Sequence, residues 1–325
     1  MKDSYGRTID YMRISITDRC NLRCKYCMPD GIRCVPAGQV LSLEEICQVA
    51  ACGAELGIRH IRITGGEPLV RANCCHLIKE LKQLPGIEKV TITTNGMLLG
   101  EYLEPLLAAG IDGINISLDS RDRELFRQIT GTDGADQVME SIRQAAASPV
   151  PVKVNAVSLD LGEENLGQMT ELAKLYPVDV RFIEMMPIGY GKHFPVIDHR
   201  RLLEQLGAMY PDMKEDQRIH GSGPAVYYRI PGFQGSIGLI SAIHGKFCDK
   251  CNRIRLTSQG QLKTCLCYED GADLRAILRG GLEGEAQKRK LGQAMEQAVI
   301  QKARAHCFDT PDGITEQRSM SMIGG

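Results

Sequence analysis

The sequence predicts an α/β fold: a partial (β/α)6 TIM-like barrel over residues 1–190, followed by a C-terminal α+β extension over 191–325. Three observations predict it. Strand-like and helix-like stretches alternate about six times between Asp10 and Met186, the pattern of a parallel sheet. Eight such repeats would make a full barrel; six make a partial one. Most of these strands also carry one apolar and one polar face. Beyond Met186 the alternation gives way to loops rich in Gly and Pro.

The strands read in order as 11–17, 60–64, 90–95, 113–119, 152–158 and 179–185. Amphipathic stretches at 42–56, around 102–110 and at 165–176 supply helices between them. Residues two apart on a strand share a face. Arg13, Ser15 and Thr17 share one, as do His60, Arg62 and Thr64; Thr91, Thr93 and Asn95; Asn115, Ser117 and Asp119; and Lys153 with Asn155. The opposite faces are Met12, Ile14 and Ile16; Ile61 and Ile63; Ile92; Ile114 and Ile116; Val152 and Val154. The apolar faces pack on the helices, so the polar ones point inward. An ordinary barrel interior is filled by branched apolar side chains, and burying Arg13, Arg62 and Lys153 without partners is costly. A wide interior that accepts an anion accounts for them. In the C-terminal region, residues 253–266 read as a β-hairpin around Gln259 and Gly260, residues 285–305 as a charged helix, and the end as a polar tail closing on Gly324 and Gly325.

Composition narrows the function. Lys and Arg number 39 against 40 Asp and Glu, a net charge of −1, which argues against a general nucleic-acid or anionic-membrane binder. No apolar run is long enough for a transmembrane helix, and the first residues show no secretory h-region, so a cytoplasmic protein is expected. Thirteen cysteines in 325 residues fall well below the roughly 8–10% of a disulfide scaffold. In a reducing compartment, closely spaced cysteines more often hold metal than pair.

Six of them form two triplets: Cys20, Cys24 and Cys27 as C-x3-C-x2-C, and Cys248, Cys251 and Cys265 as C-x2-C-x13-C. Cys47, Cys52, Cys74, Cys75 and Cys307 read as small core residues; Cys34 and Cys267 stay ambiguous beside the triplets, and Cys267, two residues after Cys265, is expected to share a strand face with it and could be a fourth ligand. Structural zinc usually takes four protein ligands, whereas a four-iron cluster can be held by three cysteines, leaving an open iron for a substrate or cofactor. A zinc-binding protein without chemistry is the alternative.

The first triplet, with Tyr26 before its last cysteine, resembles the radical S-adenosylmethionine (SAM) superfamily, and Gly65-Gly66-Glu67-Pro68 after the second strand extends the resemblance. The resemblance implies a [4Fe-4S] cluster whose open iron is chelated by SAM, which is split to a 5′-deoxyadenosyl radical. The second triplet in FCDKCNRIRLTSQGQLKTCL narrows it. That segment, with YMRISITDRCNLRCKYCMP, IRITGGEPLVR, TTNG, NISLDS, KVNAV, RFIEMMPIG and the terminal Gly-Gly, closely resembles the GTP 3′,8-cyclases that begin molybdenum cofactor biosynthesis. It implies a second [4Fe-4S] cluster on Cys248, Cys251 and Cys265, with Cys267 a bystander. It puts Tyr26, Gly65, Gly66, Glu67, Ser117 and Met186 around SAM, and Arg13, Arg62, Thr93, Lys153, Arg253 and Arg255 around GTP. Arg13, Arg253, Arg255, Gly324 and Gly325 are the residues it ties to catalysis, the two glycines inserting into the active site. It further implies a homodimer, a reductase or a flavodoxin- or ferredoxin-type electron donor, and a following pathway enzyme that takes the product. A radical SAM enzyme acting on a peptide is the runner-up; such enzymes with auxiliary clusters usually carry more C-terminal cysteines.

Overall fold

Among the described residues, one twelve-stranded sheet organises the fold. A computed structural model describes residues 1–31 and 35–324; Cys34 and Gly325 lie outside the described residues. The strands are β1 (Tyr11–Ser15), β2 (His60–Thr64), β3 (Lys89–Thr94), β4 (Ile114–Ser117), β5 (Val152–Val157), β6 (Val178–Ile183), β7 (Lys214–Glu215), β8 (Val226–Arg229), β9 (Ile237–Ile240), β10 (Arg253–Leu256), β11 (Gln261–Lys263) and β12 (Gly271–Asp273). Their order across the sheet is β12-β11-β10-β1-β2-β3-β4-β5-β6-β9-β8-β7. Strands β1 to β6 are parallel neighbours, as the alternation predicts.

The C-terminal strands add to both margins of this same sheet. β10 pairs parallel with β1, and β9 pairs parallel with β6. The antiparallel strands β11–β12 and β8–β7 then extend the two ends. The expected hairpin around Gln259 and Gly260 is present as β10–β11, but its first strand also covers the outer edge of β1. An unpaired edge beside a cysteine loop would be a template for association.

Helices cover the apolar face: α1 (Leu43–Glu55), α2 (Cys74–Gln83), α3 (Leu99–Ala108), α4 (Arg123–Thr130), α5 (Ala135–Ala146) and α6 (Gly162–Leu175) between the barrel strands, then α7 (His199–Met209), α8 (Leu274–Leu278) and α9 (Gly284–Ile300). α1 starts where Ser42 accepts from Glu45 N at 3.1 Å while the Glu45 carboxylate accepts from Ser42 N at 2.7 Å. That reciprocal pair satisfies two donors left free by the first turn. Met12, Ile14, Ile61, Ile63, Ile92, Ile114, Ile116 and Val154 are essentially inaccessible and pack with Ile46, Leu77, Leu106, Ile142 and Leu172 of the helices. The polar face is thereby left to the concave side. The sheet curls enough for Arg181 on β6 to feel the charge of Arg13 on β1. The charged helix α9 ends at Ile300, short of the expected residue 305, because Lys302 turns inward and donates to the carbonyls of Arg253, at 3.2 Å, and Thr264.

Candidate active site

The loop after β1 carries the first cysteine triplet, and the loop after β2 braces it. Thr17 O accepts from Gly66 N at 2.7 Å and Arg19 O from Glu67 N at 2.8 Å. The two backbones lie so close that a Cβ on Gly66 would sit 2.4 Å from Arg19 O, and one on Gly65 2.7 Å from Thr17 O. Only glycine permits that approach. The glycine pair therefore shapes the cysteine loop, whatever else it touches.

Glu67 is fully buried and accepts from Leu69 N at 3.0 Å, Thr94 Oγ1 at 2.8 Å and Asn95 N at 2.6 Å. Burial pushes its carboxyl up to about 7 against those donors. Asn95 in turn donates from Nδ2 to the Cys20 sulfur at 3.8 Å, which also receives Leu22 N at 3.4 Å. On the other side of the loop, Tyr26 donates to Asp119 Oδ2 at 2.7 Å, and Val157 N donates to Asp119 Oδ1 at 2.8 Å. Burial raises Asp119 to about 6. Ser117 stands beside Asn155 in the β4–β5 register, and Met186 packs against the small apolar cluster of Ile188, Leu266 and Ile323.

The thiols of the first triplet act on one another. Burial raises all three, Cys27 to about 11; the charges of Cys27 and Cys20 raise Cys24 further, and that of Cys20 raises Cys27. Among the described residues, no three His, Cys, Asp or Glu side chains are gathered as ligands of one metal ion; the sulfurs are neighbours without closing on a point. An all-sulfur donor set suits an iron–sulfur group, and cationic iron would relieve the mutual repulsion. In the second triplet, Cys248 lies in a short turn and its carbonyl accepts from Cys251 N at 3.0 Å and from Arg7 Nη1 at 2.8 Å. The β10–β11 hairpin brings Cys265 back near enough for its charge to act on Cys248. Burial would raise the Cys251 thiol, but Lys302, Arg253 and Arg255 overcome it and hold the thiol below its ordinary value. This triplet too fits a group that takes thiolates.

Between the triplets runs a row of guanidinium groups. In the sheet register Arg255 on β10 faces Arg13 on β1, which faces Arg62 on β2. Arg253 sits one step back beside Tyr11, and the Tyr11 ring lies 5.6 Å from the Arg62 guanidinium and 5.9 Å from that of Arg253. Among the described residues, the buried Nε atoms of Arg13, Arg253 and Arg255 have no hydrogen-bond partner. Burial, then repulsion from Arg13, pushes Arg255 down to about 9; burial and neighbouring arginines bring Arg62 to about 10. Unmet donors and crowded charge are what an anion would satisfy. Thr93 is level with Asn115, and Asn115 with Lys153. Lys153 is already engaged, donating to Asp179 at 2.6 Å and to Tyr227 Oη at 3.0 Å.

The sequence reading missed Arg181 and the role of Asp119. Arg181 is buried and donates to Asn155 Oδ1 at 2.9 Å and to Asn115. Asp179 and Arg181 alternate with Val178, Val180 and Phe182 just as on the other strands, and that was the available signal. Cys267 does not share a strand face with Cys265, because β11 ends at Lys263; its sulfur faces Cys307 instead. The tail crosses the whole site. Ser321 lies close enough to Cys27 to lower its thiol against burial, Ile323 is buried, and Gly324 lies beside Ser15, Thr64 and the Leu256 carbonyl. Those three neighbours follow Arg13, Arg62 and Arg255 along their strands.

Comparison with known proteins gives a consistent set of relatives. The family model described as Radical SAM superfamily matches residues 14–176, and that described as Molybdenum Cofactor Synthesis C matches 178–308. The chain is 40% identical over 327 residues to a GTP 3′,8-cyclase of Clostridium perfringens (strain SM101 / Type A), with all of both proteins covered. It is also 40% identical over 331 residues to one from Desulforamulus reducens, again with all of both covered. Among solved structures, Streptococcus suis SuiB bound to S-adenosylmethionine matches with a TM-score of 0.66 at 15% identity, covering 97% of this chain and 77% of that one. That last likeness is one of fold.

Proposed function

The chain belongs to the GTP 3′,8-cyclase family within the radical SAM superfamily, and on that premise we propose that it converts GTP into (8S)-3′,8-cyclo-7,8-dihydroguanosine 5′-triphosphate in the first step of molybdenum cofactor biosynthesis. Membership brings SAM and a [4Fe-4S] cluster. When bound, they would supply a 5′-deoxyadenosyl radical able to take the C3′ hydrogen of GTP; C3′ would then bond to C8 of guanine, and one further electron from the electron donor with one proton would give the 7,8-dihydro product.

The chain's own residues bind, orient and exclude water. Cys20, Cys24 and Cys27 hold the first cluster, and Asn95 and the Tyr26–Asp119 pair fix its loop. Glu67, Gly65, Gly66, Ser117 and Met186 form the SAM side. Arg13, Arg62, Arg253 and Arg255 take the triphosphate, with Thr93 and Lys153 nearby; because Asp179 balances Lys153, the arginines carry the anion. Cys248, Cys251 and Cys265 hold a second [4Fe-4S] cluster on the guanine side. Gly324 closes the chamber over the arginine row, and Gly325 shares its catalytic role. The observation that carries this reading is the set of unpartnered guanidinium Nε atoms between two cysteine triplets, beneath the tail.

The reading extends to partners. A reductase or a flavodoxin- or ferredoxin-type protein supplies electrons, the next enzyme of the pathway takes the product, and the working form is a cytoplasmic homodimer. Among the described residues no helix is long and apolar enough to cross a membrane.

Two experiments test it. Anaerobically purified protein is expected to hold about eight irons and as many sulfides per chain, falling by half when Cys248, Cys251 and Cys265 are replaced by alanine. Four irons in the parent protein would remove the second cluster. Arg255→Met is expected to weaken GTP binding by roughly 10- to 100-fold, the loss of charge-assisted hydrogen bonds of about 1.5–3 kcal/mol. The same substitution relieves burial and repulsion, so the melting temperature without GTP should hold or rise. Unchanged GTP affinity by calorimetry would remove Arg255 from the triphosphate site.

A further inference from the structure

Cys267 and Cys307 have no part in the proposed reaction, yet their sulfurs lie 3.2 Å apart across 40 residues of sequence. Cys267 is completely buried and belongs to the apolar cluster of Ile188, Leu266, Phe308 and Ile323. Cys307 is half-exposed. The two are held face to face. Cys307 N donates to the Cys267 sulfur at 3.3 Å, Tyr268 Oη donates to Ala305 O at 3.0 Å, and Glu316 N donates to Cys267 O at 3.2 Å. Gly313 packs so tightly on Cys307 that a Cβ there would lie 2.9 Å from its sulfur. A bonded sulfur pair is about 2.05 Å long, so a small approach of two thiols already aimed at each other makes the bond.

We propose that Cys267 and Cys307 form a site of reversible covalent modification, taking a low-molecular-weight disulfide as its oxidant and becoming an internal disulfide. The half-exposed Cys307 reacts first. Its sulfur bonds to one sulfur of the reagent, the reagent's S–S bond breaks, and one thiol leaves with the Cys307 proton. The Cys267 sulfur then bonds to that of Cys307, and the second thiol leaves with the Cys267 proton. The two cysteines are oxidised by two electrons in total and the reagent is reduced to two thiols. The product ties the loop that carries Cys265 to the base of the C-terminal tail. This inference goes beyond the cyclase reading and does not depend on it.

The test uses anaerobically purified holoprotein treated with oxidised glutathione, quenched by alkylation and mapped as non-reduced peptides. A Cys267–Cys307 linked peptide is expected, with both thiols lost to alkylation, recovered by dithiothreitol and formed without loss of iron. In Cys267→Ser, glutathione should stay on Cys307; in Cys307→Ser, Cys267 should stay unmodified. The proposal is overturned if wild-type protein keeps glutathione on Cys307 without linking. It is equally overturned if Cys267 links to Cys265 with release of iron, or if both thiols stay alkylatable.

Discussion

Glu316→Ala is expected to destabilise the docked tail by about 3–5 kcal/mol, the cost of leaving a buried charge without its partner. Lys263 lies on β11 with its side chain 1% exposed, as is that of Glu316. Its ammonium donates to Glu316 and to Tyr268 O, the latter at 2.6 Å. Glu316 also accepts from Arg318 Nε and Nη2, each at 2.9 Å. Burial would raise the Glu316 carboxyl, but the hydrogen bonds from Arg318 and Lys263 bring it down to about 2. The sign follows. A folded value below the unfolded one, about 4.3, gives stability that is complete above that pH and lost as pH falls towards 2. Hydrogen exchange over residues 314–324 should therefore speed up in Glu316→Ala. The double variant Lys263→Met/Glu316→Leu, which removes both charges, should recover most of the protection. Protection unchanged in the single variant would mean that the pair does not strap the tail.

Deleting Gly324 and Gly325 is expected to leave GTP binding intact and to lower kcat by about 100-fold or more, the scale of losing an ångström of positioning at a reacting centre. The arginine row stays in place when the tail end is removed, so affinity is kept. What is lost is the backbone that lies over Ser15, Thr64 and Leu256. Gly324 has a φ of +73°, which glycine takes without the strain of a side chain. Gly324→Ala is thus a milder version of the same lesion, of about 1–2 kcal/mol, the cost of a side chain in the left-handed region. Equilibrium GTP binding and single-turnover product formation separate the two effects. Normal turnover by the truncated protein would contradict a catalytic role for the tail.

Much of this was legible because the strands announce their faces. Alternation at Arg13, Arg62, Asn115 and Lys153 gave the six parallel strands and the polar interior, and the two triplets gave the sulfur-rich ends. What alternation does not carry is pairing between distant strands. The attachment of β10 to β1 and of β9 to β6 depends on which edges are left open, and no local pattern records that. For the same reason Arg255 was recognised as basic without its place beside Arg13. Balance between charges was also hidden: Lys153 looked like a free cation until Asp179 and Tyr227 were seen against it. Gly65 and Gly66 stood out as a motif, but their close approach to Thr17 and Arg19 is a matter of three-dimensional packing. Cys267 misled because strand periodicity was extended past the end of β11.

The central claim is that the chamber between the triplets sets C3′ of GTP where its hydrogen is removed. The most direct measurement is anaerobic turnover of the reduced protein with SAM and GTP deuterated at C3′, followed by mass spectrometry of the 5′-deoxyadenosine. The account predicts one deuterium in 5′-deoxyadenosine for each cyclised nucleotide formed. 5′-Deoxyadenosine formed without deuterium would contradict it.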